Sequence, residues 1–376
     1  MTLRPAPLKG RYRGRRNLGL SPLLLRPLCA LALWGICALG ARLLPAQVVS
    51  RFLLPISRIL STPIKWISGI FPFALLELLL LGLPLAALGL FLWDKINRKR
   101  PPSQSLDEEE GGFWELVSTA MTVLFVMLAL FQLTLGFGYH GLTLKQQLDY
   151  PDTPVNADTI AETARLLADR AADLRGAADY EERTVSRYGR QFRAAYRALS
   201  ETHPVYRGYA ARPKAAMLST AMSHMGVGGV YSPFTCEALI NTDSTAPALP
   251  FTIAHEMSHS LLIAREEEAN FSGFLACLSC DDAAIQYSGY FMGLLYTCSA
   301  YHQADPEGYR TFYRALDEGV RSDLVAYSEH VSQYEGWIND LQSDINDTFL
   351  KSNGQTAGVD SYGLMVNLLV AWTSLQ

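Results

Sequence analysis

The clearest chemistry in the chain lies in His255-Glu256-Met257-Ser258-His259, within the stretch LPFTIAHEMSHSLLIAREEEANFSGFLACL. On a helix, residues four apart share a face, so both imidazoles reach toward one point and can bind one metal ion. Glu256 then stands beside the place where a metal-bound water would sit, positioned as a general base. Neutral imidazoles with a carboxylate suit zinc, and other divalent ions can compete for the same donors. A catalytic zinc takes three protein ligands and leaves one position open. The string Arg265-Glu266-Glu267-Glu268-Ala269-Asn270 begins a second helical run shortly after His259, and Glu266 or Glu268 can supply the third ligand. Read alone, such acids merely complement the positive end of a helix dipole; beside HExxH they read as a ligand source.

The elements that must position these residues are mostly helices. Helical spacing runs from Asp158 to about Ala178 and again from about Tyr180 to Ser200, where the arginines form a solvated face. Between Gly226 and Asn241 the pattern becomes β-compatible, with a hairpin turn near Pro233 and a strand through Ala238–Asn241. Helices resume at Pro250 and continue, with breaks near Pro306 and Gly354, to the C-terminus; Leu364 to Trp372 is too short to span a bilayer and reads as a packed helix. His140, His203, His302 and His330 have no ligand spacing. Cys277 and Cys280 form a lone C-x-x-C that reads as buried thiols, and Cys29 and Cys37 read as packing residues.

Charge divides the chain in two. Its net charge of −4 over 376 residues excludes a basic nucleic-acid binder and a disordered polyelectrolyte. Residues 1–137 hold 15 Lys and Arg against 7 Asp and Glu, whereas residues 138–376 hold 17 against 29. The basic part contains three apolar segments, at about 23–44, 70–93 and 113–137, each long enough to cross a bilayer. Six basic residues precede the first segment and Lys95, Arg98, Lys99 and Arg100 follow the second, so the positive-inside rule predicts a cytoplasmic N-terminus and an extracytoplasmic 138–376 domain. A cleaved signal peptide is the competing reading of the first segment, but no small-x-small site follows it. Residues 45–69 mix basic and apolar side chains and are expected to lie along the outer interface. Glu77, inside the second segment, is either a functional carboxylate or a helix-packing residue, and the second reading fits its lack of a charge partner in the sequence.

The E-x-x-A-N string at Glu266–Asn270 is similar to the E-x-x-A-[DN] pattern of bacterial gluzincin peptidases, which implies Glu266 as the zinc ligand, with Asn270 supporting a ligand from behind. Glu268 remains the alternative. The strings FPFALLELLLL, YSPFTCEALIN, LPFTIAHEMSHSLLIAREEEANFSGFLAC, YSGYFMGLLY and NDTFLKSNGQTAGVDSYGLMVNLLVAW resemble a bacterial family of unknown function. That resemblance implies N-terminal transmembrane helices carrying an external zinc-metallopeptidase domain. The chain departs from the family where glycine is usual three residues after the second histidine, having Leu262, and again at Cys236. Leu262 predicts that the HExxH helix runs on further before turning. Gluzincin-type domains place an edge strand beside the metal helix for the substrate backbone, which the 226–241 region would provide, and use a Tyr or His donor for the oxyanion, here Tyr231, His224 or Tyr362.

The expected fold is therefore mainly α: three N-terminal transmembrane helices, then an α+β zincin-like metallopeptidase domain with a small sheet. The expected protein is a multi-pass bacterial membrane protein, with the bilayer and an external peptide or protein as partners and no nucleic acid. Its activity would be zinc-dependent peptide-bond hydrolysis, with Glu256 activating a zinc-bound water. Two other classes remain open: a non-catalytic zinc-containing envelope binding or sensor module, and a hydrolase of a non-peptide cell-wall amide.

Overall fold

The computed structural model describes residues 22–97, 106–181, 184–355, 357 and 364–376. It is mainly helical, with one three-stranded sheet. Among the described residues, three helices are long and apolar enough to cross a membrane, over Leu23–Leu43, Leu75–Trp93 and Phe113–Thr134. The second begins five residues later than its apolar run, because residues 71–73 bend before it. The third helix ends at Thr134, and Gly136–His140 form a 3-10 turn instead of continuing it.

The connector after the first apolar helix folds into Leu54–Ile70, a helix whose polarity is inverted. Ser57, Ser61, Lys65 and Ser68 are buried against the rest of the chain, while Ile59, Leu60, Trp66, Ile67 and Ile70 face outward. Periodicity explains the sorting: the buried positions recur at three- and four-residue steps and so share one face.

Downstream, helices Ala157–Arg175, Val185–Thr202, Leu249–Ser260, Glu266–Leu278, Ala283–Ala304 and Met365–Thr373 enclose a common core. Three of them start under a side chain that accepts from their first N–H groups: Asn156, Thr184 and Asp282 cap Ala157–Arg175, Val185–Thr202 and Ala283–Ala304. The HExxH helix Leu249–Ser260 is buried along nearly its whole length. Its own N-cap, Ala248, offers no side-chain acceptor, and Ser288 Oγ accepts from Phe251 N at 3.0 Å instead.

The sheet contains β1 (Pro213–Ala215), β2 (Gly229–Ser232) and β3 (Glu237–Ile240), in the order β1-β3-β2. β1 pairs with β3 in parallel and β2 pairs with it antiparallel, Tyr231 opposite Ala238. The hairpin expected around Pro233 is thus present, and β2 is an edge strand.

Polar contacts join the apolar helices to the downstream core. Glu77 accepts from Met217 N and Leu218 N at 3.1 and 2.9 Å. Glu237 returns the arrangement, accepting from Leu75 N and Leu76 N at 3.0 Å each, at the start of the second apolar helix. Lys214 pairs with Glu237 and also donates to Ser68 O and Phe73 O. Glu77 is therefore a packing residue whose partners are backbone N–H groups. Thr134 Oγ1 donates to Pro233 O at 2.6 Å, fixing the hairpin tip to the end of the third helix.

Gly138, in the 3-10 turn, is pressed against the backbone that follows the HExxH helix: a Cβ there would meet Leu262 O at 2.4 Å and the Ala264 Cβ at 2.7 Å. Gly138→Ala is predicted to destabilise the protein by about 1–3 kcal/mol, the cost typical of overpacking. Thermal unfolding of the detergent-solubilised chain checks this; an unchanged midpoint would mean the turn yields freely.

Candidate functional site

The HExxH helix and the Glu266–Leu278 helix bring three donors together. His255 Nε2 lies 3.1 Å from His259 Nε2 and 3.3 Å from Glu266 Oε2, and His259 Nε2 lies 3.6 Å from the same carboxylate oxygen. Corners of a tetrahedron around an ion with bonds of about 2.0–2.1 Å stand roughly 3.3–3.4 Å apart, so the three donors match an ion of zinc's size. Among the described residues they are the single His, Cys, Asp and Glu group able to hold a metal. His259 Nδ1 is engaged by Ile263 O at 2.8 Å, a contact that favours the proton on Nδ1 and leaves Nε2 free for the shared point.

Electrostatics favour positive charge here. Burial opposes a charged His259, but the Glu266 carboxylate outweighs it and pushes the imidazole up to about 9. Burial likewise disfavours an ionised Glu266, yet the two imidazoles hold it well below the ordinary carboxylate range. Glu256 lies alongside, its Oε1 3.9 Å from His255 Nε2, and its buried Oε2 has no hydrogen-bond partner. Burial raises Glu256, while both imidazoles and the Tyr231 backbone N–H act in the opposite sense.

The edge strand β2 lies directly against Glu256. A Cβ on Gly229 would come within 2.5 Å of Glu256 Cγ, so only glycine allows this approach. Asn241 N donates to Gly228 O, and the antiparallel alternation then leaves the N–H and C=O groups of Gly229 and Tyr231 directed away from β3.

Most of the other residues that the sequence nominated lie apart from this cluster. Glu268, the alternative ligand, is not in the cluster: its Oε1 accepts from Leu144 N at 2.8 Å and Arg265 Nη1 at 3.0 Å. Two residues along a helix from Glu266, it points to a different side. Arg265 extends this link by donating to Tyr139 O and Gly141 O, tying the exit of the third apolar helix to the start of the Glu266 helix. Asn270 hydrogen-bonds Tyr296, at 3.4 Å, instead of a ligand. Tyr231 packs its ring with Leu135, Tyr139, Cys236 and Ala264, on the side of the apolar helices. His224 is exposed and packs edge-on against Tyr334, and Tyr362 lies outside the described residues. Cys277 and Cys280 are buried free thiols, as the sequence implied.

Leu262 does not prolong the HExxH helix. The helix ends at Ser260, and Leu262 adopts a left-handed backbone with φ of 69°, Leu262 N bonding His259 O and Ile263 N bonding Ser258 O. Cys236, the other departure from a usual glycine, also has positive φ, at 52°. Both positions thus retain the backbone shape that glycine adopts without strain. Sequence reasoning missed Tyr196, whose hydroxyl donates to Ala254 O at 2.8 Å and meets Ser258 Oγ at 2.6 Å, bracing the HExxH helix from behind. Nothing local to Tyr196 signals that role.

Fold and site together define a helical chain with three membrane-length apolar helices and a buried His-His-Glu cluster. Its sequence matches, over residues 54–370, the family described as Protein of unknown function (DUF3810), and the chain belongs to that family. No curated protein and no solved structure matches it.

Leu262 is buried with Ala41, Val49, Leu54 and Phe137. Leu262→Gly is predicted to relieve about 1 kcal/mol of backbone strain and to lose about 3 kcal/mol of packing. The midpoint of unfolding should fall; a rise would show that strain dominates.

Proposed function

We propose that the protein is a membrane-anchored, zinc-dependent metallopeptidase of zincin type, hydrolysing peptide bonds on the extracytoplasmic side. The observation that carries this reading is the convergence of His255, His259 and Glu266, with Glu256 beside them and against the edge strand β2. Orientation rests on the basic residues around the first two apolar helices.

His255, His259 and Glu266 would hold the ion. Bound zinc supplies Lewis acidity toward a carbonyl and lowers the pKa of water. The chain's own residues do the rest. Glu256 takes a proton from the attacking water and passes it to the leaving amine, and its unpartnered Oε2 is suited to receive it. Gly229 and the Tyr231 carbonyl offer outward backbone groups that can pair with an extended substrate along the HExxH helix, while the Tyr231 N–H is held by Glu256. Tyr196 and Ser288 brace that helix at Ala254 and at its start. A structural zinc module is less well supported, since a purely structural site has no use for Glu256.

Two predictions test the assignment on the full-length protein in detergent or nanodiscs. Glu256→Gln should retain one zinc per chain while peptide cleavage falls by about 10²–10⁴-fold; cleavage at the original rate would sink the catalytic role. Glu266→Ala should lose the zinc in elemental analysis. Glu268→Ala should keep the zinc but lower stability, because it leaves Leu144 N unpaired. The reverse pattern would reassign the third ligand.

A further inference from the structure

Helix Trp337–Ser352 is turned the wrong way for a helix surrounded by water. Its inner face carries half-buried Asn339, Gln342 and Asn346, with Leu350 fully buried at its C-terminal end. Its outer face carries Trp337, Leu341, Ile345 and Phe349, which are 74, 52, 63 and 40% exposed. These four recur every fourth residue and form one apolar stripe along the helix. A stripe of this kind marks an interaction surface.

What covers it follows from its neighbours. Phe349 packs edge-on against the half-buried Phe131 of the third apolar helix, ring centroids 5.7 Å apart, so one end of the stripe adjoins that helix near its end at Thr134. The same sorting, polar side chains inward and apolar ones outward, occurs in Leu54–Ile70, which joins two membrane-length helices and so, on the membrane reading, lies at the membrane boundary. Trp337 closes the far end of the stripe with the aromatic type favoured at that boundary. Asp340, Asp344 and Asp347 outnumber Lys351 on this helix, so attraction to anionic headgroups is not the driving force.

We infer that helix Trp337–Ser352 seats its apolar stripe in the bilayer beside the third apolar helix, making the outer domain a second point of membrane contact. The partner is the acyl boundary of a lipid leaflet, held by apolar burial. The inference rests on the membrane reading of the three apolar helices. It also sets lipid beside the site: Asn339 lies against Gly226, just before β2, and Gln355, just after the helix, donates to Glu267 at 2.7 Å.

The test uses the full chain in phosphatidylcholine nanodiscs, with p-benzoyl-phenylalanine introduced at position 341 or 345 and photo-crosslinked. Position 85, in the second apolar helix, is the positive control. Position 310 is the negative control, on helix Pro306–Ala315, which packs on the downstream core. Mass spectrometry should find lipid adducts at 341 and 345 approaching the yield at 85 and well above that at 310. Lipid adducts at 85 with none at 341 and 345 would overturn the inference and leave the membrane reading standing. Crosslinks from 345 to a second copy of the chain would overturn it in favour of a dimer face. Failure at 85 as well would overturn both. Raising the salt concentration should leave the yields unchanged; a loss at high salt would assign the contact to charge and overturn the apolar mode.

Discussion

The last turn of a helix leaves carbonyl groups with no partner along the chain, and the structure is organised around supplying them. The HExxH helix ends inside the protein, where water cannot reach its final carbonyls. Lys65 donates to Ser260 O, and Arg58 donates to Leu261 O and to Val205 O. Both cations come from Leu54–Ile70 and meet the negative end of the helix dipole, where positive charge is most favourable. The helix that positions His255, Glu256 and His259 is thus terminated by side chains from the apolar part of the molecule.

The same logic runs in the opposite direction at the sheet. Glu237 satisfies the first N–H groups of the second apolar helix, and Glu77 on that helix satisfies the N–H groups leading into Ser219–His224. Lys214 neutralises Glu237 in a fully buried pair. Such pairs add little net stability, but losing one partner strands the other at a cost of about 3–5 kcal/mol. They fix geometry more than they bind. Because β3 carries Glu237 and pairs with β2, that geometry reaches the strand that lies against Glu256.

How much of this was legible in the sequence depended on the range of the interaction. His255, His259 and Glu266 were readable because helical spacing alone brings the histidines together and a short turn returns the glutamate. The rejection of Glu268 was not, because its partner Leu144 is far away in sequence. Leu262 misled for a related reason: its side chain argues for continuing the helix, but the backbone turn is set by the bonds to Ser258 and His259 and by the close pass of Gly138. The polarity of Leu54–Ile70 was visible as a mixture of basic and apolar residues, while the direction of its polar face depended on carbonyls that no local pattern encodes. Charge counting separated two halves correctly in composition, yet it could not register that single charges such as Glu77, Lys214 and Glu237 stitch them together.

That stitching has a consequence for how the molecule can be divided. The family match begins at residue 54, the first residue of the helix that contributes Arg58 and Lys65. The matched region therefore includes this helix and the two apolar helices after it as well as the downstream core. A cut after residue 137 would strip the HExxH helix of its terminal cations and leave Lys214 and Glu237 facing solvent on one side. The protein is built like a keystone arch, whose apolar helices are masonry and not a tether.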